Sequence, residues 1–408
     1  MLAKDESMRG KLVRRTWEYN PDHYAPPQYR RACHYEAFIP DDLANFAEPL
    51  TGELAGAVSD AETAIHQLNA RALPGLAPLA RLLLRSESIA SSKVEGMQVN
   101  ARDLARAEAK IETGGKAGPN TREILANIDA MELAIDHATA AENFSVENIV
   151  DIHRMLMASA PNHHVAGVIR TEQNWIGGNN YNPCGADFVP PTPEDLSRLL
   201  ADLCQVINEE DLPPVVQAGL VHAQFETIHP FHDGNGRTGR ALIHVVLRRR
   251  GMTPQYVPPI SIVLASSKDR YIEGLLNFRE GDVAGWLTTF AAAATQSAKL
   301  ANVYLGEVEL LQKEWREMLA ASANPRSDAA AWKIIDALPA HPMITVAVAV
   351  AVVGRTKAAV SEAMMQLELA GVLIRESQSQ RNRTWEATEL LNLLNDLESG
   401  VTPTADRR

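Results

Sequence analysis

His229-Pro230-Phe231-His232-Asp233-Gly234-Asn235-Gly236-Arg237-Thr238-Gly239-Arg240 is the stretch on which the fold and the chemistry of this chain turn. Glycine adopts positive φ freely, so Gly234 and Gly236 around Asn235 let successive backbone N–H groups converge on an anion. The residues from Arg237 to Arg250 read as a helix closed by Gly251. The N-terminus of such a helix adds unpaired N–H groups and partial positive charge. Arg237 and Arg240 lie three apart, on one helical face, and suit separate phosphates. Asp233 offers a hard oxygen for Mg²⁺, which normally bridges a carboxylate and substrate phosphates. His229, anchored by Pro230 and by a Phe231 expected in the core, is the natural base for a hydroxyl near neutral pH. A buried structural histidine or a plain glycine turn would explain any one of these residues. It does not explain base, carboxylate, anion nest and two arginines in a workable order, which together describe phosphoryl or nucleotidyl transfer.

Upstream, Pro213 and Pro214 mark the start of a helix running to about Ile228 and burying Val216, Leu220 and Ala223. Between Gly167 and Pro193 the helical pattern fails. Gly177-Gly178-Asn179-Asn180 is turn chemistry flanked by Asn174-Trp175-Ile176 and Phe188-Val189, which predicts a β-hairpin. Pro190, Pro191 and Pro193 end it, and Thr192 to Asn208 resumes as helix. Further helices are expected over 119–140 and 145–158, the second capped by Ser145. From Leu50 the pattern is helical, with Leu76, Leu79, Leu83 and Ile89 along one face and Gly96 as a stop after Glu95. Residues 1 to about 50, rich in Pro, Tyr and Arg, read as an extended lead-in.

Downstream, helices are expected near 267–278, 282–300 and 302–320. The character changes at Asn324-Pro325. A helix over 329–338, an apolar run over 344–353 and an amphipathic helix over 355–370 precede two short strands, Gly371 to Ile374 and Thr384 to Glu386, around a polar tip at 377–383. That order suggests a winged helix-turn-helix. Arg355 and Lys357 fall at the start of its second helix, but acidic and basic residues balance over this region.

The chain has 408 residues, 46% of them hydrophobic, and a formal charge of -12. That is the composition of a globular protein of two or three domains, and it argues against nonspecific coating of nucleic acid. The most apolar segment, Ile344 to Val353, is about half the ~20 residues that cross a bilayer, so no membrane partner is expected. Cys33, Cys184 and Cys204 are few and widely spaced, so three independent thiols in a reducing, cytoplasmic setting are expected.

The 229–240 loop resembles the HPFx[DE]GNGRxxR signature of the Fic family and matches it at every defined position. The resemblance extends over about residues 35–320 and implies a mainly α-helical Fic core with a β-hairpin flap. It divides the chain into an N-terminal segment with an inhibitory helix (1–110), a catalytic core (111–322), the winged helix (325–395) and a tail (396–408). The resemblance implies ATP and Mg²⁺, with AMP moving to a Tyr, Thr or Ser hydroxyl of a target protein. His229 would be the base and Asp233 the metal ligand. Gly234, Asn235 and Gly236 would form the anion hole, and Arg237 and Arg240 would bind phosphates, with Thr238 and Gly239 in the same nucleotide-binding set. Doc-type kinases of the superfamily depart from GNGR near the phosphate arginine, and this chain does not.

Ser91-Ser92-Lys93-Val94-Glu95-Gly96 is similar to the family's inhibitory motif, [ST]xxxE[GN]. By that resemblance Glu95 pairs with Arg240 and Ser91 hydrogen-bonds nearby, so that ATP binds unproductively. The flap would receive the target segment as an added strand, with Ile176, Gly177 and Gly178 facing the nucleotide. Tyr271 stands where the family often has a Tyr-Tyr pair near adenine. Its neighbour here is Ile272, and Arg279 replaces the usual Asn. The resemblance leaves open removal of AMP by a water oriented on Glu95, and a DNA-binding regulator with a Fic sensor. Either DNA or protein is an expected partner of the winged helix, and a homodimer is expected from the family's habit.

Overall fold

The computed structural model describes residues 9–22, 24–46, 51–71, 77–97, 100–112, 114–376 and 383–401. Along the chain these form β1 (Gly10–Trp17), β2 (Cys33–Pro40), α1 (Gly52–Ala70), α2 (Ala77–Val94), α3 (Ala101–Glu112), α4 (Pro119–Ala140), α5 (Val146–Met157), α6 (Pro193–Asn208), α7 (Pro214–Ile228), α8 (Asn235–Arg249), α9 (Ile260–Ser266), α10 (Lys268–Arg279) and α11 (Val283–Ser322). The C-terminal part follows with α12 (Ala330–Ala337), β3 (Met343–Thr345), α13 (Val346–Val353), α14 (Lys357–Leu369), β4 (Ile374–Arg375), β5 (Thr384–Glu386) and α15 (Thr388–Glu398). The protein is mainly helical with small antiparallel sheets. Packing groups the chain into two units, 1–62 with 130–251 and 269–292, and 63–129 with 252–268 and 293–408.

In the first unit α7 is the hub. Every residue from Val215 to Ile228 is buried, the polar Gln217, His222, Gln224, Glu226 and Thr227 included. Gly219 admits α11 closely: a Cβ there would lie 2.9 Å from Phe290 and 3.0 Å from Leu287. At the same spot the Trp286 indole N–H donates to the Gly219 carbonyl at 2.9 Å. The α8 helix lies along α7, and α5 closes over α8. The Ser145 N–H donates to Asn148 Oδ1 at 2.8 Å, fixing the start of α5.

Several expectations need correction here. The lead-in is a β-hairpin, with β1 and β2 antiparallel from Gly10 opposite Pro40 to Trp17 opposite Cys33. The anticipated break near residue 301 is absent, and α11 runs unbroken for 40 residues. The hairpin at 174–189 shrinks to one bridge, Ile176 with Phe188. Cys33 and Cys184 are not independent thiols but are joined in a disulfide. Cys204 is buried and free.

In the second unit Ile89, Leu104, Ile124 and Ile128 form one apolar cluster between α2, α3 and α4. The α2 helix rests on α9, where Glu87 accepts from the Ser261 N–H at 2.8 Å and the Ser261 hydroxyl at 2.5 Å. Glu87 is fully buried. The apolar run at 344–353 splits because Thr345 Oγ1 accepts from the Val348 N–H at 3.2 Å. That bond ends β3 and caps α13. Gly354, at φ 65°, closes the helix. Thr356 caps α14 in the same way. The sheet order is β3-β5-β4, with Trp385 of β5 buried and its indole N–H on Glu368 Oε2 at 2.8 Å. The tip at 377–382, including Arg381, lies outside the described residues, as does Leu76.

Candidate active site

His229 closes α7 in the left-handed region, φ 49° and ψ 59°, with its N–H on the Phe225 carbonyl at 2.9 Å. That conformation is unusual for a residue with a Cβ and persists only where the surroundings hold it. The holders are visible. Arg170 Nε donates to the His229 carbonyl at 2.9 Å, and Asn174 Nδ2 donates to the carbonyls of His229 at 3.3 Å and Phe231 at 3.0 Å. The Arg170 N–H meets the Pro230 carbonyl at 3.0 Å. The rest of the Arg170 guanidinium is spent on the carbonyls of Glu172 and Pro191. Burial pulls its pKa down to about 10, so it stays charged at neutral pH.

The imidazole of His229 is pushed down to about 3, first by burial and then by the charges of Arg279 and Arg170. It is therefore neutral, the form that accepts a proton. Its Nδ1 is buried and makes no hydrogen bond among the described residues.

Asp233 is held from three sides. Its Oδ1 accepts from the Gly234 N–H at 2.7 Å, its Oδ2 from Asn162 Nδ2 at 2.6 Å, and its carbonyl meets His153 Nε2 at 2.9 Å. The Gly234 N–H is thus taken up by the neighbouring carboxylate. Gly234 itself, at φ 74°, must be glycine: a Cβ would lie 2.5 Å from Met157 Sδ. The Asn235 side chain does not face the anion nest. It folds back onto Phe231, accepting from its N–H at 2.9 Å and donating to its carbonyl at 2.8 Å. What Asn235 and Gly236 offer an anion is their first-turn N–H groups, which have no carbonyl one turn back. Arg237, Thr238 and Arg240 are buried on α8. Gly239 lets α8 approach α7, since a Cβ there would lie 2.6 Å from Glu226 Oε1 and 3.1 Å from Phe225.

In the flap, Ile176 and Phe188 exchange backbone hydrogen bonds at 2.8 and 3.1 Å. Gly177 and Gly178 have φ of 76° and 71°, and Cβ atoms there would strike Asp187 and the Gly185 carbonyl. The flap is tethered to the β1–β2 region by the Cys33–Cys184 disulfide, an edge-to-face Trp17–Trp175 contact and a stacked Tyr29–Tyr181 pair. Tyr271, on α10, is buried with its hydroxyl 2.9 Å from His222 Nε2. The hydroxyl is engaged within the core, whatever the ring faces. Glu95 lies just past the end of α2 and is exposed. Ser91 is buried on α2.

Arg170, Asn174, Asn162 and His153 are the residues that sequence reasoning missed. Each acts on a backbone carbonyl or a carboxylate some 55 to 80 positions away, a relation that leaves no local pattern.

Asp233 supplies one carboxylate, each of whose oxygens keeps a lone pair beyond its present hydrogen bond. Among the described residues no group of three or more His, Cys, Asp or Glu could cage a metal. That donor set fits Mg²⁺ shared with phosphates, not an all-protein site.

Comparison with known proteins agrees with this geometry. Residues 143–247 match the Fic/DOC family model, and residues 55–136 match the Fic/DOC family N-terminal model. Over these residues, which make up less than half of its length, the chain is similar to the Fic/DOC family. It is 30% identical over 225 residues to the protein adenylyltransferases Fic of Drosophila erecta and Drosophila melanogaster, a match that takes in 52% of this chain and 40% of each fly protein. The chain therefore spans well under half of those relatives. In fold it is similar to a Fic family protein from Desulfovibrio desulfuricans G20, with a TM-score of 0.52 and 18% identity over 83% of this chain and 97% of that one. Among the described residues no helix is long and apolar enough to cross a membrane.

Proposed function

We propose that the chain transfers AMP from ATP to a hydroxyl of a protein. The observation that carries this reading is a neutral His229, locked by Arg170 and Asn174, one short turn before the N–H-rich start of α8. The target hydroxyl oxygen attacks the α-phosphorus, the bond to the β-phosphate bridge breaks, and pyrophosphate leaves. The hydroxyl proton passes to His229, whose basicity rises once anionic ATP lies beside it. The first-turn N–H groups of Asn235 and Gly236, with Arg237 and Arg240, meet the phosphate charge. Bound Mg²⁺, held by Asp233, would neutralise the phosphates. The flap, with Ile176 exposed, suits a target segment laid on as a strand. Glu95 restrains the reaction by competing for Arg240, as the motif at 91–96 implies.

Residues 325–395 read as a winged helix through their element order. Within α14 only Lys357 is basic, and Ala358, Ala359, Glu362 and Met365 are exposed beside it. Such a face suits a protein partner better than phosphates.

The test is incubation with Mg²⁺ and ATP labelled at either the α- or the γ-phosphate. Label should enter protein from the α-position only, increase sharply in Glu95→Gly and vanish in His229→Ala. Transfer of the γ-label, or full activity in His229→Ala, would overturn the assignment.

A further inference from the structure

We propose that Arg279 is a positioning residue that couples the flap to the turn carrying His229. The proposal rests on reading His229 as the base.

Arg279 ends α10 and is only 9% exposed. Its guanidinium carbon lies 3.7 Å from the centroid of Phe188, the flap residue that exchanges backbone hydrogen bonds with Ile176. Its Nε points at Thr227 Oγ1, 3.4 Å away and two residues before His229. Thr227 Oγ1 is itself fixed, donating to the Ala223 carbonyl at 2.8 Å. The buried charge is offset by Glu226. At its other side the Arg279 carbonyl accepts from the Arg9 N–H at 3.3 Å, and the Arg9 guanidinium covers Phe278.

A planar guanidinium stacks on a ring with its face while its N–H groups work in plane. One side chain can therefore grip the flap and the end of α7 together. The compact ammonium of lysine has no plane to stack and cannot do both at once. A target strand that moves Phe188 moves the plane of Arg279, and with it the anchor before His229. The charged groups bearing on His229 are Arg279 and Arg170, which disfavour its protonated form, and Asp233, which favours it. Taking Arg279 away removes the positive charge that acts more strongly on His229.

The experiment uses the full chain and Arg279→Lys, Arg279→Met and Phe188→Leu, with two readouts that need no target. Amide hydrogen exchange reports the Ile176 and Phe188 N–H groups. NMR titration of the His229 ring, assigned by its loss in His229→Ala, reports its proton affinity. Arg279→Lys and Phe188→Leu should each speed flap exchange by roughly tenfold. Arg279→Met should do the same and also raise the His229 midpoint by about one pH unit. Arg279→Lys, which keeps the charge, should leave that midpoint within a few tenths of a unit of wild type. If flap exchange is unchanged in Arg279→Lys, the coupling is wrong, and this variant remains informative if Arg279→Met fails to fold. Uniform acceleration of exchange across the whole unit would also overturn it, since that is loss of stability and not of a flap anchor. Retained α-label transfer in His229→Ala would instead sink the function proposed above and leave the flap readout intact.

Discussion

His153 lies flat against Phe231, the ring centroids 3.7 Å apart and the planes 1° from parallel. Its Nδ1 accepts from the Gly167 N–H at 2.8 Å, so the ring proton sits on Nε2 and is donated to the Asp233 carbonyl at 2.9 Å. Burial pushes its pKa down to about 4, which keeps this tautomer neutral. One histidine thus fixes the core side of the loop with its face and the Asp233 end with its edge.

His153→Phe keeps a ring to stack but leaves the Gly167 N–H and Asp233 carbonyl without that partner. Each buried orphan costs about 1–3 kcal/mol. The Asp233 backbone is then free to shift, and misplacement of about 1 Å near reacting atoms costs on the order of a hundredfold in rate. Transfer of α-label should fall by roughly that factor, with a smaller loss of stability in urea. Equal transfer in wild type and His153→Phe would mean the loop holds its shape without this edge.

His222 gives the clearest dependence of stability on pH. It is fully buried, and desolvation together with the charge of Arg240 lowers its pKa to about 3. An unfolded histidine titrates near ~6.5, so below that pH the unfolded chain gains a proton that the folded chain refuses. The contribution of neutral His222 is complete above about 6.5 and is lost as pH falls toward 3. His222→Gln retains a polar group for Tyr271 and cannot titrate. The urea stability of the wild type should therefore drop more steeply than that of the variant, by about 1.4 kcal/mol for each pH unit below 6. Parallel pH curves would refute this.

The parts of the site legible in the sequence are those whose chemistry is local. The α7 stop, the glycines and the arginines of α8 lie next to one another, and their spacing carries their meaning. The turn of the Asn235 side chain back onto Phe231 is not legible in the sequence, because only three dimensions show it. Tyr271 is assigned to adenine by resemblance alone, and the contact of its hydroxyl with His222 leaves no local pattern in the sequence. The β1–β2 hairpin hid because β1 is mostly exposed and β2 ends in four consecutive buried residues, so neither strand carries a sustained alternation of apolar and polar residues. The expected break in α11 has no proline behind it, and the isolated Gly306 does not stop a helical pattern that continues on both sides.

The cysteines should react in a fixed order. With Cys33 bonded to Cys184, and burial pushing the Cys204 thiol up to about 12, the native protein should resist alkylation at neutral pH. Denaturation without reductant should expose a single reactive thiol, and reduction should expose all three cysteines. The bond joins β2 to the flap, so reduction should also speed exchange at Ile176 and Phe188. Three reactive thiols in the unreduced, denatured chain would show that the bond does not form.

Lys93 Nζ lies 3.1 Å from Glu398 Oε2, linking the motif at 91–96 to α15. The Glu398 side chain is 2% exposed and that of Lys93 29%. Burial raises the Glu398 pKa, and Lys93 is the largest influence in the opposite direction. Lys93→Met should strand a buried carboxylate and cost about 1–3 kcal/mol, less than for a fully buried pair because the lysine keeps some water. Lys93→Met with Glu398→Leu removes both charges and should recover most of that loss. If Glu95 restrains transfer, loosening its neighbour should also raise self-labelling, though less than Glu95→Gly. The two effects separate cleanly. A stability loss with unchanged labelling would make the pair purely structural, and increased labelling in Glu398→Gln at wild-type urea stability would make α15 part of the restraint.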